Sequence, residues 1–279
     1  MDFAEILQQL AVFEHLTAFL LGMPRLFAVA LVAPFLGTGV LEGQIWFVLV
    51  LGLYLPMHPA VLAQLSPDIT LSLDMNLPLA GRLGLLFLKE TLLGLGLGLL
   101  AGLPFWAIES AGIFMDNQRG ASQAEGTEIL TGKSVSPMGG ILFQCLVYLF
   151  YTSGAFLAFL GLIYASYELW PVTHVLPLPN GSALPLFFAG RVAWLMSSML
   201  LIAAPIAAAC LLVDISLGLI NRFAPQLNAY VLAMPVKSGL AALLLCLYLG
   251  LLLSHAPDMF RSIDGALHSF GQLLGGIED

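Results

Sequence analysis

The sequence predicts an all-α, polytopic membrane-type protein built of helical hairpins whose helices are kinked or broken. Of its 279 residues, 59% are hydrophobic and 9% are charged, and the mean hydropathy is +0.96. A soluble domain carries about 25% charged residues, so this chain lacks the side chains to cover a water-exposed surface. Stretches without Asp, Glu, Lys or Arg, such as 43–67 and 192–213, reach the ~18 residues of a membrane-length helix. Shorter ones, such as 26–41, favour half-helices or hairpins buried in protein.

The same composition argues against several classes of protein. An ordinary soluble enzyme needs more polar surface, and a disordered chain needs low hydrophobicity with high net charge. The net charge of -8 and the nine basic residues argue against a nucleic-acid partner. The three cysteines, Cys145, Cys210 and Cys246, are far apart, so neither a disulfide framework nor a zinc site is expected.

Apolar runs and breaker residues place six helices along the chain. They are predicted at about 8–35, 44–57, 78–112, 138–168, 184–213 and 226–254. Together they form one helical domain over residues 1–279, with an N-terminal half of about 1–116 and a C-terminal half of about 138–279. The most polar segment of the protein, 117–137, connects the two halves and is predicted to be a loop.

Small residues recur at every fourth position within the third predicted helix. Gly94, Gly98 and Gly102 form a groove along one face, which allows another helix to approach closely. The same run contains Gly96, Gly98 and Ala101 in a loose G-x-G-x-x-A pattern. No strand precedes that pattern, so helix packing is favoured over nucleotide binding.

If this helix continues past residue 112, its C-terminal end carries a stripe of polar residues. Glu109, Gly112, Asp116, Arg119 and Gln123 then lie on one face, and Asp116 can pair with Arg119 at i,i+3. A polar stripe at the end of an apolar helix must meet water, a pore or another polar surface. A solvated helix end and a functional surface are both consistent with this pattern.

A second polar block follows the fifth predicted helix. It comprises Asn221, Arg222, Pro225, Gln226 and Asn228, followed by Pro235 and Lys237. Pro235 removes a helical hydrogen bond and is expected to kink or break the helix. Facing lipid would be costly for these polar groups, so they are expected at a protein interface or in water. Alternatively, Arg222 and Lys237 extend to the headgroup region.

Isolated ionisable residues leave one functional alternative open. Glu90, Arg191 and Lys237 could form the midplane site of a secondary transporter or permease, although an internal repeat of broken helices is missing. Lys89 and Glu90 are adjacent and are expected to face different directions. The sequence lacks the common catalytic and cofactor motifs: a nucleophile elbow, a phosphate-binding loop, an intramembrane protease arrangement and a histidine metal motif. Neither catalysis nor a cofactor is therefore predicted.

Three sequence blocks resemble one known family. They are Asp116-Asn-Gln-Arg119-Gly120, Ser136-Pro137, and the block from Asn221-Arg222 through Pro225-Gln226-Leu-Asn228 to Met234-Pro235-x-Lys237. Together they are similar to the SctT/FliR/SpaR family, the inner-membrane export-apparatus proteins of type III secretion systems and flagella. The first block is closer to the injectisome branch.

This resemblance implies a function and a set of partners. The chain would be a non-enzymatic channel subunit of the protein-export gate, assembling with SctR/FliP-type and SctS/FliQ-type subunits and with a SctU/FlhB-type subunit. Its surroundings would be inner-membrane lipid, these subunits and exported protein substrates. The assembly would protrude toward the periplasm.

The resemblance also implies site residues. The loop 117–137 would be plug-like, and the pore gate would comprise Ile113, Phe114, Met115, Asp116, Arg119 and Gly120. Subunit interfaces are assigned to the glycines Gly94, Gly98 and Gly102 and to Asn221, Arg222, Pro225, Gln226, Asn228, Pro235 and Lys237.

Overall fold

The computed structural model describes residues 12–36, 43–65, 77–120, 136–174, 183–223 and 229–274, and within these ranges all regular elements are helical. The helices are α1 (Val12–Val32), α2 (Gly43–Tyr54), α3 (His58–Gln64), α4 (Leu77–Gln118), α5 (Pro137–Thr152), α6 (Ala155–Leu169), α7 (Ala183–Phe223) and α8 (Ala229–Leu273), with a 3-10 turn at Leu55–Met57 between α2 and α3. The all-α prediction is confirmed.

The prediction of one continuous helix at 138–168 is wrong, because this segment forms two helices, α5 and α6. The two helices are bent by 71° at Ser153–Gly154. Gly154 has a φ of +80°, a conformation that only glycine adopts without steric cost, so the chain turns sharply at this position. The broken helix that the fold class anticipated is therefore present.

The long helices run further than the apolar pattern predicts. Helix α4 continues to Gln118 instead of ending near residue 112, and α8 continues to Leu273 instead of residue 254. Helix α8 also runs through Pro235 and Pro257, so Pro235 does not end it. A proline removes one helical hydrogen bond, and the bonds of the flanking turns keep the helix continuous.

The described residues belong to two compact units. The first consists of Met1–Gly102, Phe156–Phe188 and Ile263–Asp279. Its core packs α1 against α4, where Gly94 and Gly98 touch the backbone of Arg25 and Val29 so closely that a Cβ would overlap it. The sequence-based division at 117–137 stays a prediction, and residues 121–135 of that loop lie outside the described ranges.

The second unit consists of Leu103–Ala155 and Ala189–Ser262. Three aromatic rings form its centre: the Phe150 centroid lies 5.2 Å from those of both Phe105 and Phe260. Nearby, Gly112 of α4 meets Gly139 of α5 backbone to backbone. These small residues allow α4 and α5 to approach closely.

Among the described residues, five helical segments are long and apolar enough to cross a membrane, with Gly43–Gln64 (α2, the 3-10 turn and α3) counted as one, and the number is six if the bent pair α5–α6 counts as a further span. The multi-pass membrane prediction agrees with this count. The spans differ in how much of their surface the chain itself covers. In α4, 67% of the strongly apolar stretch is buried within the protein, whereas in α7 and α8 only 17% of that stretch is.

Candidate functional site at the end of helix α4

The polar stripe on α4 forms because the helix continues through it. Asp116 is 2% exposed, and its carboxylate accepts a hydrogen bond from Arg119 Nε at 2.7 Å. This is the i,i+3 pair predicted from the sequence, and it lies in the last turn of the helix. Gln123, the last member of the predicted stripe, lies outside the described residues.

Asp116 also holds the start of the next helix. Its Oδ2 accepts hydrogen bonds from the Ser136 hydroxyl and from the backbone N–H of Met138, the latter at 3.0 Å. Ser136 in turn caps α5, because its Oγ accepts from the Gly139 N–H at 3.0 Å. One buried carboxylate therefore joins the end of α4 to the beginning of α5, and Pro137 occupies the first turn of α5, where its missing N–H has no cost.

Lys237 links three helices at the same end of α4. Its Nζ lies 2.5 Å from Asp214 Oδ1 of α7 and donates to the Gln118 carbonyl of α4 at 3.4 Å. The Lys237 side chain is 14% exposed and that of Asp214 is 44% exposed. The carbonyls at a helix C-terminus attract cations, so the ammonium group is held by both the acid and the helix end.

Sequence reasoning missed two of these participants, Asp214 and the Met138 N–H. Asp214 interrupts a long apolar run, and an isolated acidic residue in such a run indicates that it needs a charged partner. The partner of a backbone N–H such as that of Met138 leaves no signal in the sequence.

The predicted gate residues differ in exposure. Ile113 is 42% exposed, Phe114 is half-buried and Met115 is fully buried. Gly120 follows the helix with a φ of +84°, and a Cβ there would lie 3.6 Å from Met234 Cγ. Of these three side chains, Ile113 presents the largest exposed fraction at the helix end, while Met115 packs in the core.

Apart from Lys237, the predicted interface residues fall into three groups. Gly94, Gly98 and Gly102 are buried, and the first two pack against α1 of the same chain. Asn221, Arg222 and Pro235 are exposed. Pro225, Gln226 and Asn228 lie outside the described residues. The interface assignment of all these residues stays a prediction.

A second charged cluster lies in the first unit. Arg25 of α1 pairs with Glu90 of α4, and Lys89 Nζ lies 2.5 Å from Glu90 Oε1. The expectation that Lys89 and Glu90 face apart was wrong, because the long lysine side chain folds back. Its Nζ is also held by the carbonyls of Pro171 and His174, each at 3.0 Å.

Glu90 and Lys237, two members of the alternative transporter site, each have their own charged partner. Among the described residues, no three His, Cys, Asp or Glu side chains converge as a metal site would require.

Comparison with known proteins gives a consistent result. A family model described as bacterial export proteins, family 1, matches residues 16–263. Yop proteins translocation protein T of Yersinia pestis is 38% identical over 244 residues, which cover 86% of this chain and 89% of the relative. SpaR, a surface presentation of antigens protein of Salmonella typhimurium, is 32% identical over 82% of this chain and 81% of its own length. Flagellar biosynthetic protein FliR of Bacillus subtilis is 31% identical over 68% and 74%, respectively.

Proposed function

Because this chain belongs to the bacterial export proteins, family 1, we propose that it is a non-enzymatic channel subunit of a type III secretion export gate. Its relatives are export-apparatus proteins of type III secretion and flagella. The observation that carries the proposal is the match over residues 16–263, which includes both polar blocks. The chain would form and gate the protein-export pore of the bacterial inner membrane.

Co-assembly is supported by the exposed surface of α7 and α8. Large apolar side chains such as Leu201, Leu212 and Leu247 are exposed on these helices, each by more than half. Many exposed large apolar side chains on two helices need lipid or another apolar chain to cover them. We assign this surface to SctR/FliP-type and SctS/FliQ-type subunits, a SctU/FlhB-type subunit and membrane lipid, in an assembly that protrudes toward the periplasm.

The gate is assigned to the end of α4. Asp116 and Lys237 fix this helix end to α5, α7 and α8 through side-chain hydrogen bonds and an ion pair. A fixed helix end can hold Ile113 and Phe114 at a constriction, and an apolar constriction closes a pore by excluding water. Met115, Arg119 and Gly120 support this end. Exported protein would pass when the constriction opens.

Co-purification tests this proposal. The tagged chain is expressed with SctR-type and SctS-type subunits, extracted in mild detergent and analysed by size exclusion and native mass spectrometry. A stable complex containing all three proteins is expected. A monomer or homodimer that binds or moves a small solute by itself would contradict the export gate and favour a transporter.

A further inference from the structure

Two histidines of the first unit meet in an unusual geometry. His15 lies in the first turn of α1 and His58 begins α3, and His15 Nδ1 is 3.0 Å from His58 Nε2. The ring planes differ by 19° and the centroids are 5.3 Å apart. With the nitrogens at 3.0 Å, that centroid separation is close to the largest that two imidazoles can have. The rings therefore lie end to end, with one N–H aimed at the lone pair of the other ring.

The proton positions in this pair follow from Tyr54. Its hydroxyl donates to the Ala18 carbonyl at 2.7 Å, so its single hydrogen is used there. The contact of 3.1 Å between the Tyr54 hydroxyl and His58 Nδ1 must then be donated by His58. Neutral His58 consequently has a lone pair at Nε2, and His15 must donate from Nδ1. A directional chain of three hydrogen bonds runs from His15 through His58 and Tyr54 to Ala18.

We propose that this hydrogen-bond chain is a proton-sensitive link between α1 and α3. The link holds when both histidines are neutral or when the pair carries one added proton. It opens when both histidines are protonated. The first added proton binds His15 Nε2, an atom that takes no part in the hydrogen-bond chain. The positive charge on His15 then makes its hydrogen bond to His58 charge-assisted. The second must bind His58 Nε2, which already accepts that bond. Two imidazolium rings have no lone pair to share, so the link opens and the charges repel.

Few other ionisable groups surround the two imidazoles among the described residues. The neighbouring surface is lined by apolar residues of α1 and the start of the 3-10 turn, Val12, Leu16, Phe19 and Leu55. Among the described residues, the other titratable groups here are Tyr54 of α2, whose hydroxyl is engaged, and Glu14, which is exposed beside His15 on α1. Helix α3 carries no Asp, Glu, Lys or Arg. The hydrogen-bond chain also requires a glycine at position 22, because a Cβ there would lie 2.8 Å from the Tyr54 hydroxyl and displace it.

Nitrogen NMR of the full chain in detergent, with 15N-labelled histidine, tests the link directly. At about pH 8 both rings are expected in the Nδ1–H form, and acidification is expected to add the two protons in two separate steps, because the two sites interact. His15→Asn and His58→Gln variants assign the signals. Nε2–H forms of both rings at pH 8, or two independent single-proton titrations, would overturn the proposal.

A stability measurement provides an independent test. In His15→Asn, the amide can donate to neutral His58 and accept from protonated His58, so the link persists at every pH. The melting temperature of the unaltered chain is expected to fall between about pH 8 and pH 4 by about 2–4 °C more than that of this variant. Glu14→Gln and His255→Asn are the controls and should keep the full fall. An equal fall in His15→Asn and in the unaltered chain would contradict the link.

Discussion

Arg25 and Glu90 form a two-pronged ion pair in which neither side chain is exposed. Arg25 Nε lies 2.6 Å from Glu90 Oε2 and Arg25 Nη2 lies 2.9 Å from Glu90 Oε1, so the guanidinium and the carboxylate meet edge to edge through two hydrogen bonds. This parallel arrangement is the strongest geometry for an arginine and a carboxylate. It fixes the rotation of α1 relative to α4.

Two backbone carbonyls at the end of α6 also accept hydrogen bonds from the buried Arg25 guanidinium. Arg25 Nη1 donates to the Ser166 carbonyl at 2.6 Å, and Nη2 donates to the Trp170 carbonyl at 2.8 Å. The guanidinium also lies 4.2 Å from the centre of the Tyr167 ring. Cations are stabilised at helix C-termini, so the C-terminal end of α6 stabilises the positive charge of Arg25.

Removing the charge of Glu90 is therefore expected to destabilise the protein strongly. In Glu90→Gln, the Arg25 guanidinium stays charged in a buried site without a carboxylate, at a cost of about 3–5 kcal/mol. The measurement is thermal unfolding of the purified chain in detergent. Asp258→Asn is the matched control, because its pair with Arg261 is exposed and should contribute little. Equal effects of both variants would contradict this assignment.

The same pair shows why part of the fold was predictable and part was not. Apolar runs are local, so the sequence located the helices, and helical periodicity located the Asp116–Arg119 pair. Arg25 and Glu90 are 65 positions apart, and a sequence shows only that each buried charge needs a partner. Likewise, Lys237 reaches a carbonyl 119 positions away. The break at Gly154 depends on a backbone angle that an apolar run containing glycine does not specify.

Packing at Gly94 gives a second expectation. A Cβ at this position would overlap the Arg25 carbonyl oxygen and would lie 2.8 Å from Ala28 Cβ. Gly94→Ala should therefore push α1 away from α4, at a cost of about 1–3 kcal/mol in unfolding free energy. Gly84→Ala on the same helix is the control, since nothing lies within 4 Å of its Cβ position. Alanine there should leave stability unchanged or raise it by up to about 1 kcal/mol. Loss of stability in both variants would argue against close packing as the cause.

The Lys237 link should control how firmly the end of α4 is held. Lys237→Met removes the ion pair to Asp214 and the hydrogen bond to Gln118, a loss of about 1 kcal/mol. Hydrogen exchange of residues 113–120 is expected to accelerate roughly fivefold, as measured by mass spectrometry of the purified chain. Arg222→Met removes an exposed basic side chain of α7 and should leave this exchange unchanged. Unchanged exchange in Lys237→Met would show that the helix end is held by packing alone.

The proposed gate is tested by the exposed part of the α4 end. In the assembled complex, replacing both Ile113 and Phe114 with Ala should widen the constriction, and the closed channel should leak small solutes in a liposome efflux assay. Met115→Ala is the first control, because Met115 is fully buried. Its main effect should be a loss of stability of about 2–5 kcal/mol. Leu211→Ala, an exposed apolar side chain of α7, is the second control and should not leak. A tight seal in the double variant, in a complex of normal composition, would exclude these two side chains as the closure.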